Sequence, residues 1–184
     1  MLYFLLGDSA DHGQMWANSA VSDDGRMVNT IAFGERLQIG RAKSERRRNG
    51  SLTDKLFSAS KDLLVSARAK TLLETARLPD DLRFIPTDLV DRTGDVLGEY
   101  FVLVSAAQFD VVDYERSELR HFVSGRETVR SIRSYCLRRS QMPDLDLFLT
   151  KHDDWNWIAS QRVARLFARD GLTGFRYIPV QLAD

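Results

Sequence analysis

Two segments of this 184-residue chain are written on the same frame. LLVSARAKTLLETARLPDDLRFIP, from Leu63 to Pro86, can be laid over WIASQRVARLFARDGLTGFRYIP, from Trp157 to Pro179. The shared positions are Ser66/Ser160, Arg68/Arg162, Leu72/Leu166, Arg83/Arg176, Ile85/Ile178 and Pro86/Pro179. Serine to leucine is six residues in both, and serine to proline is 20 in one and 19 in the other. Each segment reads as a short apolar strand, a serine, a helix, a turn and a strand. The serine accepts a hydrogen bond from a free N–H of the first helical turn. Apolar residues then recur at helical spacing: Ala69, Leu72, Leu73 and Ala76 in the first copy, Val163, Leu166 and Phe167 in the second. Gly171 stands where a left-handed helix end is wanted. Two copies are too few for a solenoid. The expectation is a single α+β domain over residues 1–184, with a mixed twisted sheet, packed helices and an internal duplication of the strand–helix–strand unit. The bland reading is that any helix-to-strand unit favours a serine cap and an aromatic strand.

The rest of the chain adds strands. Tyr3–Leu6 and Leu82–Ile85 are predicted strands, the second ended or placed at an edge by Pro86. Arg92–Asp95 is a predicted turn. Glu99–Ser105 carries β-formers throughout and is expected at the centre of the sheet. Val111–Tyr114 is expected to continue or pair with it. Ser131–Arg138, Asp146–Leu149 and Trp155–Ile158 are further strands. Residues 7–30 read as an irregular connection. Residues 40–51, GRAKSERRRNGS, are basic, are bounded by glycines, and are expected to form an exposed loop.

Charge and composition limit the function. There are 26 basic and 26 acidic residues, so the formal net charge is zero. That argues against bulk electrostatic binding to nucleic acid or to an anionic membrane. The basic residues Arg41, Lys43, Arg46, Arg47 and Arg48, with Arg120, Arg126, Arg130, Arg133, Arg138 and Arg139, are not interleaved with base-stacking aromatics, so nucleic acid is not the expected partner. One cysteine, Cys136, excludes an intrachain disulfide and fits a reduced, cytoplasmic setting. MLYFLL is too short and lacks the basic flank of a signal peptide. No run approaches the roughly 20 apolar residues of a membrane span.

Catalysis requires convergent groups. His12, His121 and His152 are scattered, and Cys136 in an alternating strand reads as a core residue. Asp8, Asp11 and His12, or His152, Asp153 and Asp154, could hold a divalent ion, but they lack zinc or calcium spacing and read as solvated turns. There is no phosphate-binding glycine loop and no nucleophile elbow. No catalytic residue, metal or cofactor is therefore assigned. The stretch HDDWNW places Trp155 and Trp157 on one strand face, either over the core or beside Asp153 and Asp154 as a binding anchor. Asp113, Tyr114 and Glu115 form a second acidic patch. These seven residues are the expected partner-binding positions.

The C-terminal third carries a resemblance. Leu147-Phe148, the strand Ile158–Ser160, a helix, Gly171-Leu172-Thr173-Gly174 and Phe175–Pro179 resemble the closing signature of the eleventh immunity protein family of bacterial polymorphic toxin systems. LLVSARAKTLLE with FIP resembles its middle, and EYFVLVSAAQFDVVDYERSE, with Asp113, Ser117 and Glu118, its central strand. The resemblance covers about residues 52–180 and is weak over the first 50. It implies a non-enzymatic protein that neutralises a cognate toxin by binding it. An adaptor or scaffold that protects against nothing is the alternative, with a nucleic-acid binder behind it. The toxin and the oligomeric state are not legible.

Overall fold

The computed structural model describes residues 2–8, 16–17, 20–28, 39–48, 50–58, 63–124, 127–151 and 156–184. In chain order the elements open with β1 (Tyr3–Asp8), β2 (Trp16–Ala17), β3 (Val21–Ser22), β4 (Ala42–Arg48), β5 (Lys55–Ser58) and β6 (Leu64–Ser66). Helix α1 (Ala67–Leu73) follows, then β7 (Arg83–Val90), β8 (Val96–Val104) and β9 (Gln108–Phe109). A hairpin of β10 (Glu118–Ser124) and β11 (Glu127–Ser134) leads to β12 (Cys136–Arg138) and a 3-10 turn over Arg139–Gln141. The chain closes with β13 (Leu147–Thr150), β14 (Trp157–Ser160), α2 (Gln161–Arg169), β15 (Phe175–Pro179) and β16 (Gln181–Ala183).

The architecture is α+β, with its strands in separate sheets. Seven strands run in the order β2-β5-β6-β8-β7-β4-β3, and β2 also pairs with β4. That extra pairing closes six of the described strands into a small barrel, with β3 attached to β4. The second sheet has the order β15-β1-β14-β13-β9. The helices lie between the two sheets.

Alternation along the strands explains the layers, because successive side chains point to opposite faces. Tyr100, Val102 and Val104 of β8 fill the barrel with Leu56, Leu64, Ile85 and Leu89. Leu103 and Phe101, on the other face of β8, meet the helices. There they join Val65, Ala69, Leu73, Val163 and Phe167, together with Leu6, Leu147, Leu149 and Trp157 of the second sheet. The outer face of that sheet, with Phe148 and Ile158, is covered by Val111, Val112, Tyr135 and Leu137. The second half of β8, residues 100–104, is thus packed on both faces, and β8 stands fourth of seven in the strand order.

The two look-alike segments occupy equivalent places. β6 and β7 both run antiparallel to β8, which lies between them. β14 and β15 both run antiparallel to β1, which lies between them. In each case the helix connects two parallel strands across an inserted third.

Several expectations require correction. Residues 42–48 are not a loop but strand β4, parallel to β7 and antiparallel to β2 and β3. Ala42 and Ser44 are buried while Lys43 and Glu45 are exposed, so over residues 42–45 the charges alternate with small residues that fit the barrel. Pro86 does not end β7. It sits opposite Phe101, and β4 joins the other edge only from Thr87 onward, so the missing N–H falls where that edge is open. Val112 bridges Leu137 rather than β8, and the predicted strand 131–138 is broken at Tyr135. Residues 7–30 contain the end of β1 and the short strands β2 and β3.

Candidate binding surfaces

Each helix starts at a serine, and each serine is gripped by an aspartate lying just before an earlier strand. Ser66 Oγ accepts from Ala69 N at 3.2 Å and donates to Asp54 Oδ1 at 2.8 Å. Ser160 Oγ accepts from Val163 N at 3.5 Å and donates to Asp146 Oδ1 at 2.7 Å. The other carboxylate oxygen of each aspartate reaches across to the segment that follows the opposite helix. Asp54 Oδ2 accepts from Thr173 N at 2.9 Å, beyond α2. Asp146 Oδ2 accepts from Arg77 N at 3.0 Å, beyond α1. The N-terminus of one helix is thereby tied to the exit of the other, in both directions.

The turn that Asp54 holds is specified by glycine. Gly174 has φ 83°, and a Cβ there would collide with the Lys55 carbonyl oxygen and the Thr53 side chain. A side chain at that position is excluded by both conformation and space.

Asp146 is the more enclosed of the pair, its side chain fully buried. Burial pushes its carboxyl up, but hydrogen bonds from Arg77 N–H, the Ser160 hydroxyl and the Arg77 guanidinium outweigh this and hold it below the usual carboxylate value. Arg162 also donates to Asp146 Oδ2 at 2.9 Å and to the Thr75 carbonyl at 3.1 Å. Arg162 is the second residue of α2, so the clamp sets the direction of the first arginine on that helix.

Three arginines follow the helical repeat on α2: Arg162, Arg165 and Arg169, all exposed. With Thr75, Gln161 and Leu166 they line an open cleft of about 510 Å³ beside the end of α1. A second cleft, about 530 Å³, lies among Leu78, Pro79, Ala107, Phe109 and Leu145. Asp81 braces its wall, its Oδ2 accepting from the N–H groups of Ala106 and Ala107 and its Oδ1 from Ser105 Oγ. Among the described residues no group of three or more His, Cys, Asp or Glu is placed to hold a metal ion.

Of the residues expected to bind a partner, four lie among the described residues: Asp113, Tyr114, Glu115 and Trp157. Asp113 is a turn residue: its Oδ1 accepts from Glu115 N and Arg116 N, each at 3.1 Å. Tyr114 is half-buried against the cluster around Val111 and Leu137. Glu115 is exposed. Trp157 is only 6% exposed and belongs to the core, so of its two readings the structure places it in the packing one. Asp153, Asp154 and Trp155 lie outside the described residues, as do His12 and His152. The arginine row and the two aspartate clamps were not singled out from sequence. The row was visible as the spacing of residues 162, 165 and 169. The clamps were visible as an aspartate 12 residues before Ser66 and 14 before Ser160.

The model of the immunity protein family Imm11 matches residues 14–182. This chain belongs to the Imm11 immunity protein family. The Imm11 match begins far upstream of residue 52, and its range takes in β2 to β4. No curated protein matches the chain in sequence. No helix among the described residues is long and apolar enough to cross a membrane.

Proposed function

We propose that this chain neutralises a cognate bacterial toxin by binding it directly, one to one, in the cytoplasm and without chemistry of its own. The observation that carries this reading is the family match over residues 14–182. Occlusion of the toxin's active site is the simplest mechanism. A stable complex of this kind buries on the order of 1,600 Å² and is dominated by a few anchors. Asp153, Asp154 and Trp155, with Asp113, Tyr114 and Glu115 as a second acidic patch, are kept as proposed contacts, and Trp157 is buried in the core.

The test is a tagged pull-down from the native bacterium at moderate salt, with the recovered protein identified by mass. A large multidomain protein with a toxic C-terminal module, near one to one, is the expected result. Recovery of nucleic acid or of a housekeeping complex contradicts it. With the toxin in hand, Asp154→Ala combined with Trp155→Ala is expected to weaken the complex about tenfold or more without shifting the thermal midpoint. Unchanged affinity removes that segment from the interface.

A further inference from the structure

We propose that the arginine cleft on α2 is a docking surface for an acidic segment of the toxin. The inference rests on the reading of this chain as a toxin-binding protein. The cleft is open and basic, and Arg162, Arg165 and Arg169 stand along one side of the helix. Their charges are engaged to different degrees. Arg162 is held by the buried Asp146, and Arg169 pairs with its neighbour Asp170 at 3.0 Å. Arg165 has no ion pair or hydrogen bond among the described residues, and it is exposed.

Two features make this more than a solvated helix face. The first is preorganisation. Arg162 donates to both Asp146 and the Thr75 carbonyl, so the head of the row is fixed before a partner arrives. Guanidinium forks fixed in this way lose less freedom when they engage carboxylates. The second is the apolar side chain of Leu166, half-buried, which sits among the arginines in the cleft lining. A groove that offers cations around one aliphatic contact suits a peptide with carboxylates flanking an apolar residue.

The dimensions agree. The seven-residue step from Arg162 to Arg169 spans about 10 Å of helix. Carboxylates four residues apart on an extended chain share a face with the side chain midway between them and stand about 13 Å apart, a spacing the long arginine side chains can meet. Phosphates would satisfy the charge, but among the described residues no aromatic side chain lines the cleft to stack a base. The chain as a whole carries no net positive charge to hold a polyanion. An acidic protein segment is therefore the occupant, and nucleic acid becomes an outcome of the test.

The test uses Arg165→Glu with Arg169→Glu, which leaves Arg162 and its clamp intact. Arg92→Glu, in the exposed β7–β8 turn, is the control. The probe is a labelled peptide of roughly twelve residues with glutamates four apart around a central leucine. Its glutamine analogue is the blank, and binding is read by anisotropy. The glutamate peptide is expected to bind the wild-type chain about tenfold more tightly than the glutamine peptide does, and to weaken as salt rises. It is also expected to bind the double variant about tenfold less tightly, and Arg92→Glu like the wild type. Equal binding of the two peptides, equal binding to wild type and double variant, or displacement of the peptide by a short RNA overturns the proposal. In a second arm the double variant is expected to lose affinity for the recovered toxin. Full affinity there overturns the docking surface and leaves the toxin-binding reading standing. If the wild-type chain recovers no toxin, that reading falls and the peptide result alone decides the cleft's chemistry.

Discussion

Asp146 shows how much of this molecule hangs on single side chains. It is buried, and it serves a helix cap, the N–H of Arg77 and two guanidinium groups at once. Asp146→Ala leaves the Ser160 hydroxyl and the Arg77 N–H without their acceptor. The two arginines are 43% and 55% exposed, so they rehydrate and add little to the loss. The expected destabilisation is about 2–3 kcal/mol, read from urea unfolding. A loss under about 0.5 kcal/mol would mean that the clamp does not hold the helices. The sign of the pH dependence follows from the same contacts. The folded carboxyl titrates below its unfolded value. Its contribution is therefore complete above about pH 4 and lost as pH falls through the folded pKa. Asp88, held down chiefly by its hydrogen bond from Arg41, acts in the same direction. Asp146→Asn is expected to flatten the acid limb of the stability curve, while Trp157→Phe leaves its shape unchanged.

At the scale of elements, the sequence disclosed what local chemistry decides. The helix Gln161–Arg169 is found where its pattern places one, because Ser160 caps one end and Gly171, at φ 64°, closes the other. The central place of β8 was legible because its residues 100–104, packed on both faces, are an unbroken apolar run. β4 was misread for an equally physical reason. Its buried positions are Ala42 and Ser44, too small to show as an apolar alternation, and its exposed ones are charged. Only the neighbours β7, β2 and β3 make a strand of it. Closure of the barrel depends on residues far apart in the chain, such as Trp16 beside both Arg48 and Phe57, and no local pattern announces that. The candidate site fared worse, because surface charge looks alike in sequence whether it caps a turn, as the half-buried Asp113 does, or lines a cleft, as Arg165 does. If β4 is a structural strand, Ser44→Pro removes a backbone donor beside Leu89 in a buried position. It is expected to cost about 3 kcal/mol or more by thermal or urea unfolding. A variant as stable as the wild type would return residues 42–48 to the loop reading.

At the scale of the whole molecule, a barrel and a five-stranded sheet share one core through two helices whose ends are tied to each other. Such cross-ties fix the relative position of the two helices, and with them the arginine row and the cleft beside α1. That is the property a protein needs if it is to present a rigid, complementary surface to a partner. The central claim is that the partner is neutralised by occupancy and not by modification. The measurement that tests it most directly is the intact mass and stoichiometry of the toxin after mixing with this chain. The account predicts a one-to-one complex from which dissociation returns a toxin of unchanged mass and full activity. A toxin inactivated by a small fraction of an equivalent, or recovered with an altered mass, would contradict it.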